Sequence, residues 1–391
     1  MNKIYFNPKT LRLHLKTMYG SDIVLNSNQT NKQDLLPRFR IDRYRIEVSL
    51  ACDLRCEYCV VHMNKVFQRG RLMDGETAKK IINKFNLEVG PTGSLMLIGG
   101  EPLLNWEVVK FMISRCSGSS MIFTNAYRLD EDKIKFLKKH NTLILTSLDG
   151  YSLKHNKSRF YPNVKKNFNI VCKNISTAIN NGCKVGIGCV VHPGNINDME
   201  KIAHFFTEKL KAKSLSFAYP HFTTEETPTN KFPMEEYTKQ MLKLFLFSKE
   251  RKIYIDQIGK LVKSIFKKKI VFASCKAGLS QKTFYPDGSE TICTKIDTIP
   301  GYDFKDFTSI LPVNNKKCDN CVAQKLCGGG CPWDAIVFKN KIGVDRRICK
   351  HNKTLVAYIL KDIEMELRNV KTKKEALEII KDKYYPMMNP T

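Results

Sequence analysis

Ten of the fourteen cysteines in this 391-residue chain fall into two groups, Cys52 to Cys59 and Cys275 to Cys349. Nothing else in the sequence narrows its fold so sharply. The N-terminus, Met1-Asn-Lys-Ile-Tyr-Phe, soon turns polar and charged and lacks the apolar core of a signal peptide, so the chain is expected in the cytoplasm. In a reducing compartment, clustered cysteines serve as metal ligands or catalysts rather than disulfides. No run approaches the roughly 18–20 apolar residues of a spanning helix, so no membrane partner is expected. Hydrophobic residues make up 42% and charged residues 26%, which excludes a wholly disordered chain. The length allows about two to three domains of roughly 100–200 residues.

From Tyr44 onward, short apolar runs alternate with longer amphipathic segments. The strand candidates are Tyr44–Leu50, Ser94–Ile98, Met121–Thr124, Thr142–Ser147, Lys184–Val191 and Ser214–Tyr219, with helical stretches near 75–87, 106–116, 130–140, 164–181, 198–211 and 234–250. Asp74 and Asn197 supply N-caps. This alternation predicts an α/β fold, a parallel sheet closed or nearly closed as a partial (β/α)6 TIM-like barrel with its site at the C-terminal strand ends. The expected layout is an N-terminal extension (1–43) with strand-like stretches near Ile4–Phe6 and Ile23–Leu25, the barrel (44–250), a helical bridge (251–272), a Cys-rich domain (273–353) and a C-terminal helical tail (354–391).

The first cysteine group, Cys52-Asp-Leu-Arg-Cys56-Glu-Tyr-Cys59, directly follows the first strand candidate. Three thiolates suit three irons of a four-iron cluster and leave one iron without a protein ligand. A zinc site is the competing reading, with His62 as fourth ligand. With these residues in view, the loop resembles that of the radical S-adenosylmethionine (SAM) enzymes, in which C-x3-C-x2-C follows the first strand of such a barrel. Further marks recur in order. Gly99-Gly100-Glu101-Pro102 ends the second strand candidate and matches the motif that binds the methionine amino group. Glycines there allow close approach to a ligand, and Glu101 can pair with an ammonium. Tyr58 matches an aromatic position beside the adenine, and Thr124-Asn125 and Ser147-Leu148-Asp149-Gly150 end the third and fourth strands. The resemblance implies that Ser147 and Arg159 touch the ribose and carboxylate of SAM, and His155, ahead of Arg159, supports that assignment.

The second group reads Cys275, twelve residues, Gly288, four residues, Cys293, then Cys318-x2-Cys321-x5-Cys327-x3-Cys331 and finally Cys349. The layout resembles the SPASM domain, which holds two auxiliary iron–sulfur clusters; a pair of zinc knuckles competes on spacing alone. By that resemblance Cys275, Cys293 and Cys331 hold one cluster, and Cys318, Cys321, Cys327 and Cys349 the other. The cofactors implied are SAM and three [4Fe–4S] clusters. No cysteine follows soon after Cys275, since the stretch is Lys276-Ala-Gly-Leu-Ser-Gln281. The open iron of that cluster then takes either a substrate thiolate or another protein or solvent group. Cys116, Cys172, Cys183 and Cys189 are assigned to packing.

Relatives with a SPASM domain mostly modify peptides. The expected activity is maturation of a ribosomally made precursor peptide, by a thioether or carbon–carbon crosslink after hydrogen abstraction by a 5′-deoxyadenosyl radical. Formylglycine formation in sulfatases is the alternative. That branch carries Asp after the second SPASM cysteine as a base, whereas Thr294 stands here. No catalytic side chain is assigned. The expected partners are the precursor peptide and an electron donor such as flavodoxin or ferredoxin; because 43 residues are too few for a full recognition domain, leader binding falls to a separate leader-recognition protein or to other surfaces of this chain. Lys plus Arg number 65 against 38 acidic residues, a net charge of +27. The excess is spread along the chain without aromatic–basic interleaving, so no nucleic-acid partner is expected. From another class, a non-catalytic zinc or iron–sulfur protein on nucleic acid explains the cysteines and charge, but not the strand-end motifs.

Overall fold

A computed structural model describes residues 2–18, 20–26, 40–59, 70–160, 163–221, 232–294, 311, 314–339 and 344–390. His62 lies outside these residues. In chain order the strands are β1 (Lys3–Asn7), β2 (Arg12–Lys16), β3 (Asp22–Val24), β4 (Arg43–Ser49), β5 (Ser94–Gly99), β6 (Ser119–Thr124), β7 (Leu143–Ser147), β8 (Val185–Val190), β9 (Ser214–Ala218), β10 (Tyr254–Ile255), β11 (Gln281–Phe284) and β12 (Glu290–Thr291). The helices are α1 (Gly75–Glu88), α2 (Trp106–Arg115), α3 (Glu131–Lys139), α4 (Lys157–Phe160), α5 (Val164–Asn180), α6 (Met199–His204), α7 (Met234–Arg251), α8 (Asp256–Lys267), α9 (Pro332–Lys339), α10 (Arg347–Glu366) and α11 (Lys373–Lys383).

The chain divides into two compact units. One comprises Phe39–Thr229 and Lys276–Phe304. Its sheet runs in the order β9-β8-β7-β6-β5-β4-β11-β12. Neighbours from β4 to β9 are parallel and sequential, joined by helical crossovers, as the alternation predicts. Asp74 caps α1 by accepting from the Thr77 N–H, and Asp130 caps α3. Tyr44 packs its ring 5.4 Å from Phe85 of α1 and 4.9 Å from Phe284 of β11. Tyr44 and Ile46 therefore face the helices, and alternation turns Arg43, Arg45 and Glu47 to the opposite face. A seventh parallel strand, β11, joins the far edge of β4 and turns back through Gly288 into β12. The helical stretch expected at 198–211 is split: α6 ends at His204 and Phe205–Lys209 widens into a π turn.

The other unit comprises Met1–Arg38, Asn230–Cys275 and Lys305–Thr391. Its N-terminal residues form a three-stranded antiparallel sheet, β1-β2-β3. The inward side chains Leu13 and Leu15 are fully buried. Helix α7 clusters here rather than with the sheet that precedes it, as do α8 and the two tail helices α10 and α11. In α10, Leu355, Ile359 and Ile363 form a buried stripe. Among the described residues, no helix is long and apolar enough to cross a membrane.

Candidate functional site

The loop carrying Cys52, Cys56 and Cys59 leaves the C-terminal end of β4, and neighbouring strand ends fasten it. Gly100 N–H donates to the Ser49 carbonyl and Glu101 N–H to the Ala51 carbonyl, both at 2.7 Å. The glycines permit this close approach of the strand end to the loop. A Cβ on Gly99 would stand 2.0 Å from the Ser49 carbonyl oxygen, and one on Gly100 2.4 Å from that of Ala51. From beyond β6, the third of these parallel strands, Arg128 grips Asp53 through Nε and Nη2 at 2.8–3.0 Å. From beyond the fourth, Ser158 donates to the Glu57 carboxylate at 2.6 Å, and the Cys56 thiol donates to the Arg159 carbonyl at 3.4 Å.

The polar residues expected at the strand ends are all found there, largely engaged with one another. Glu101, fully buried, accepts from Thr124 Oγ1 at 2.7 Å and Leu103 N–H at 3.0 Å on one oxygen, and from Asn125 N–H at 2.8 Å on the other. Burial is the main reason its carboxyl is pushed up to about 7, and these three donors work against the rise. Three of its roughly four lone-pair positions are thus taken. Pro102 follows directly and opens a short 3-10 turn. Asn125 also reaches back to Cys52 Sγ at 3.7 Å.

Asp149 is the second hub. It receives the Tyr58 hydroxyl, Arg159 Nε and Nη2 at 3.2 and 3.3 Å, and Val190 N–H at 3.0 Å. The Arg159 guanidinium stands 5.5 Å from the centre of the Tyr58 ring. Tyr58 is held well above its ordinary value, by burial first and by Asp149. Ser147 lies half-buried at the end of β7 beside Gly188. Two residues without a sequence signal complete this hub. Asn156 accepts from Asp149 N–H, and Asn195 donates to the Asp149 carbonyl, each at 2.9 Å. Gly150 must be glycine, because a Cβ would fall 2.4 Å from His155 Nδ1 at a φ of +147°.

Burial pushes the Cys52 thiol up to about 12 and that of Cys56 up to about 11, and each of these sulfurs feels Cys59. Three thiols crowded in this way suit a metal centre, which takes them as thiolates. In the other unit, Cys327 is pushed up to about 11 by burial, with Cys318, Cys321 and Cys349 as the charges around it. Cys349 stands on the first turn of α10. The loop leading to Cys275 docks on the glycines before Cys331, Ser274 N–H donating to the Gly328 carbonyl at 3.0 Å and Gly330 N–H to Ser274 Oγ at 2.9 Å. Cys293 belongs to the sheet-bearing unit, just past β12. Cys189 is buried, and Cys116, Cys172 and Cys183 are half-buried with thiols raised by burial. One buried pair escaped the sequence. Thr294 Oγ1 donates to Glu47 Oε1 at 3.1 Å, and Arg45 Nη2 stands 4.0 Å from the same oxygen.

Residues 46–206 match the model of the Radical SAM superfamily. A cysteine-type anaerobic sulfatase-maturating enzyme of Clostridium novyi is 28% identical over 170 residues, which cover 40% of this chain and 46% of that enzyme. The match therefore spans about half the length of that relative. Among solved structures, native anSMEcpe with bound AdoMet and Cp18Cys peptide aligns with a TM-score of 0.68 at 21% identity, covering 84% of this chain and 99% of that one. Streptococcus suis SuiB bound to precursor peptide SuiA aligns at 0.58 and 18% identity, covering 81% of this chain and 77% of that one. These likenesses show a shared fold.

Proposed function

Because the chain carries a radical SAM domain and is an enzyme of that superfamily, we propose that it modifies a peptide, installing a thioether or carbon–carbon crosslink in a ribosomally made precursor. The observation that carries this reading is the gathering of Cys52, Cys56 and Cys59 at a parallel sheet's C-terminal edge, beside the Glu101 and Asp149 hubs. The superfamily implies SAM and a [4Fe–4S] cluster, which when bound supply a 5′-deoxyadenosyl radical that takes a hydrogen atom from an unactivated C–H. Cys52, Cys56 and Cys59 would hold that cluster. Gly99, Gly100, Glu101 and Pro102 would set the methionine end of SAM, with Thr124, Asn125, Ser147, Asp149 and Arg159 toward its ribose and carboxylate and Tyr58 toward the adenine. The chain's own work is to orient these groups and exclude water.

The sheet would form a partial (β/α)6 barrel and the Cys-rich segment a SPASM domain. Cys318, Cys321, Cys327 and Cys349 would hold one auxiliary cluster, and Cys275, Cys293 and Cys331 another, three clusters in all. A peptide substrate is supported by the fold likeness to two proteins solved with peptides. Formylglycine formation is the second reading, favoured by the sequence match to a sulfatase-maturating enzyme. Product mass separates the two on incubation with a mixed library of Cys-containing synthetic peptides, SAM and dithionite. A crosslink removes two hydrogen atoms and keeps every sulfur, whereas formylglycine made from cysteine loses the sulfur. Intact peptides alongside deoxyadenosine formation would overturn both.

A further inference from the structure

A crosslink and a formylglycine share one requirement. Joining C–H to X–H, or oxidising H–C–X–H to C=X, removes a hydrogen atom, a proton and an electron. The hydrogen atom goes to the deoxyadenosyl radical and the electron to an iron–sulfur centre. The proton leaves X–H as the new bond to carbon forms, and it needs a base inside the site. We propose that Glu47 is that proton acceptor, held for the task by Thr294. The inference rests on the peptide-modifying reading above.

Glu47 lies on the face of β4 opposite Tyr44 and Ile46, five residues before Cys52 on the strand that leads into the cysteine loop. It is 2% exposed. The register of β4 against β5 shifts between Glu47 and Ser49, a bulge immediately beyond Glu47. Bulges next to active sites re-aim a side chain. The β11–β12 hairpin, whose partner on β4 at Thr283 is Arg45, delivers Thr294 to Glu47 across 247 positions of sequence. Arg45 Nη2 stands 4.0 Å from the Glu47 oxygen that Thr294 also faces. Thr294 follows Cys293 directly, and its hydroxyl touches Glu47.

The test uses the full reconstituted chain, SAM, dithionite and the Cys-containing peptide library, reading deoxyadenosine, oxidised peptide and peptide affinity separately. Glu47→Gln is expected to lower oxidised peptide about a hundredfold, the usual scale for losing a general base. Hydrogen taken from deuterated peptide should still appear in deoxyadenosine, and peptide affinity should change less than threefold, on the order of 0.6 kcal/mol. Glu47→Asp should recover part of the loss. The double variant Glu47→Gln/Thr294→Asp, which moves the carboxylate along the existing hydrogen bond, should recover more. Normal product from Glu47→Gln, or no recovery in a double variant that melts like wild type, overturns the proposal while leaving the peptide reading intact. Wild-type enzyme that makes deoxyadenosine but alters no peptide overturns that reading, and this inference with it.

Discussion

Cys52, Cys56 and Cys59 sit on a loop that a parallel sheet fastens through Gly100, Arg128 and Ser158. Cys318, Cys321 and Cys327 sit on tight turns, closed by hydrogen bonds such as Cys321 N–H to the Cys318 carbonyl and Cys327 N–H to that of Ala323. The first set inherits its geometry from a hydrophobic core that includes Tyr44, Ile46, Leu97 and Ile122. Near the second in sequence, the buried apolar side chains among the described residues are the smaller group Leu311, Ala323, Leu326, Trp333, Ala335, Ile336 and Ile348. On the proposed function, metal is a reagent at the first set and a fold determinant at the second: the sheet should stand without iron, the turns should not.

Stripping the metal is the strongest way to break that comparison. Structural metal contributes on the order of 10 kcal/mol to small Cys-rich folds. Anaerobic chelation should open 314–331 to limited proteolysis while the sheet from β4 to β9 keeps its hydrogen-exchange protection. Equal protection of both regions after chelation would contradict the account.

A smaller effect sharpens the sheet side. Glu101→Gln leaves one donor among Thr124, Asn125 and Leu103 without its acceptor, a loss of about 1–3 kcal/mol read by thermal melting. The pH dependence has a defined sign. Burial raises Glu101 from 4.5 to about 7, so between those values the unfolded chain releases a proton that the folded chain keeps. The stability present in full below pH 4.5 is therefore lost as pH rises through about 7. Glu101→Gln should flatten that slope, and an unchanged slope would remove Glu101 from the account.

The mildest test concerns the Asp149 hub. Tyr58→Phe deletes one hydrogen bond to a carboxylate that Arg159 and Val190 also hold. It should cost about 1 kcal/mol in stability, with a modest rise in the KM for SAM.

The six central strands were legible because buried parallel strands read as short apolar runs. Strand β11, Gln-Lys-Thr-Phe, carries only Phe284 as an apolar anchor, and its place beside β4 comes from long-range pairing. Strand β2, Arg-Leu-His-Leu-Lys, alternates clearly but is short and charged at both ends, which hid it among turn residues. Helix α7 has the periodicity expected at 234–250, yet periodicity could not say with which unit it clusters. For the site, fixed spacing made the cysteines readable. The pairings of Asp53 with Arg128 and of Glu47 with Thr294 were not, because they are meetings created by folding.

The most direct test is to reconstitute the chain anaerobically, count iron, and add SAM with dithionite to wild type and to Cys56→Ala. The account predicts about twelve irons in wild type, three four-iron clusters' worth. It also predicts deoxyadenosine that disappears in Cys56→Ala. Zinc in place of iron with SAM left intact, or deoxyadenosine undiminished by Cys56→Ala, would contradict it.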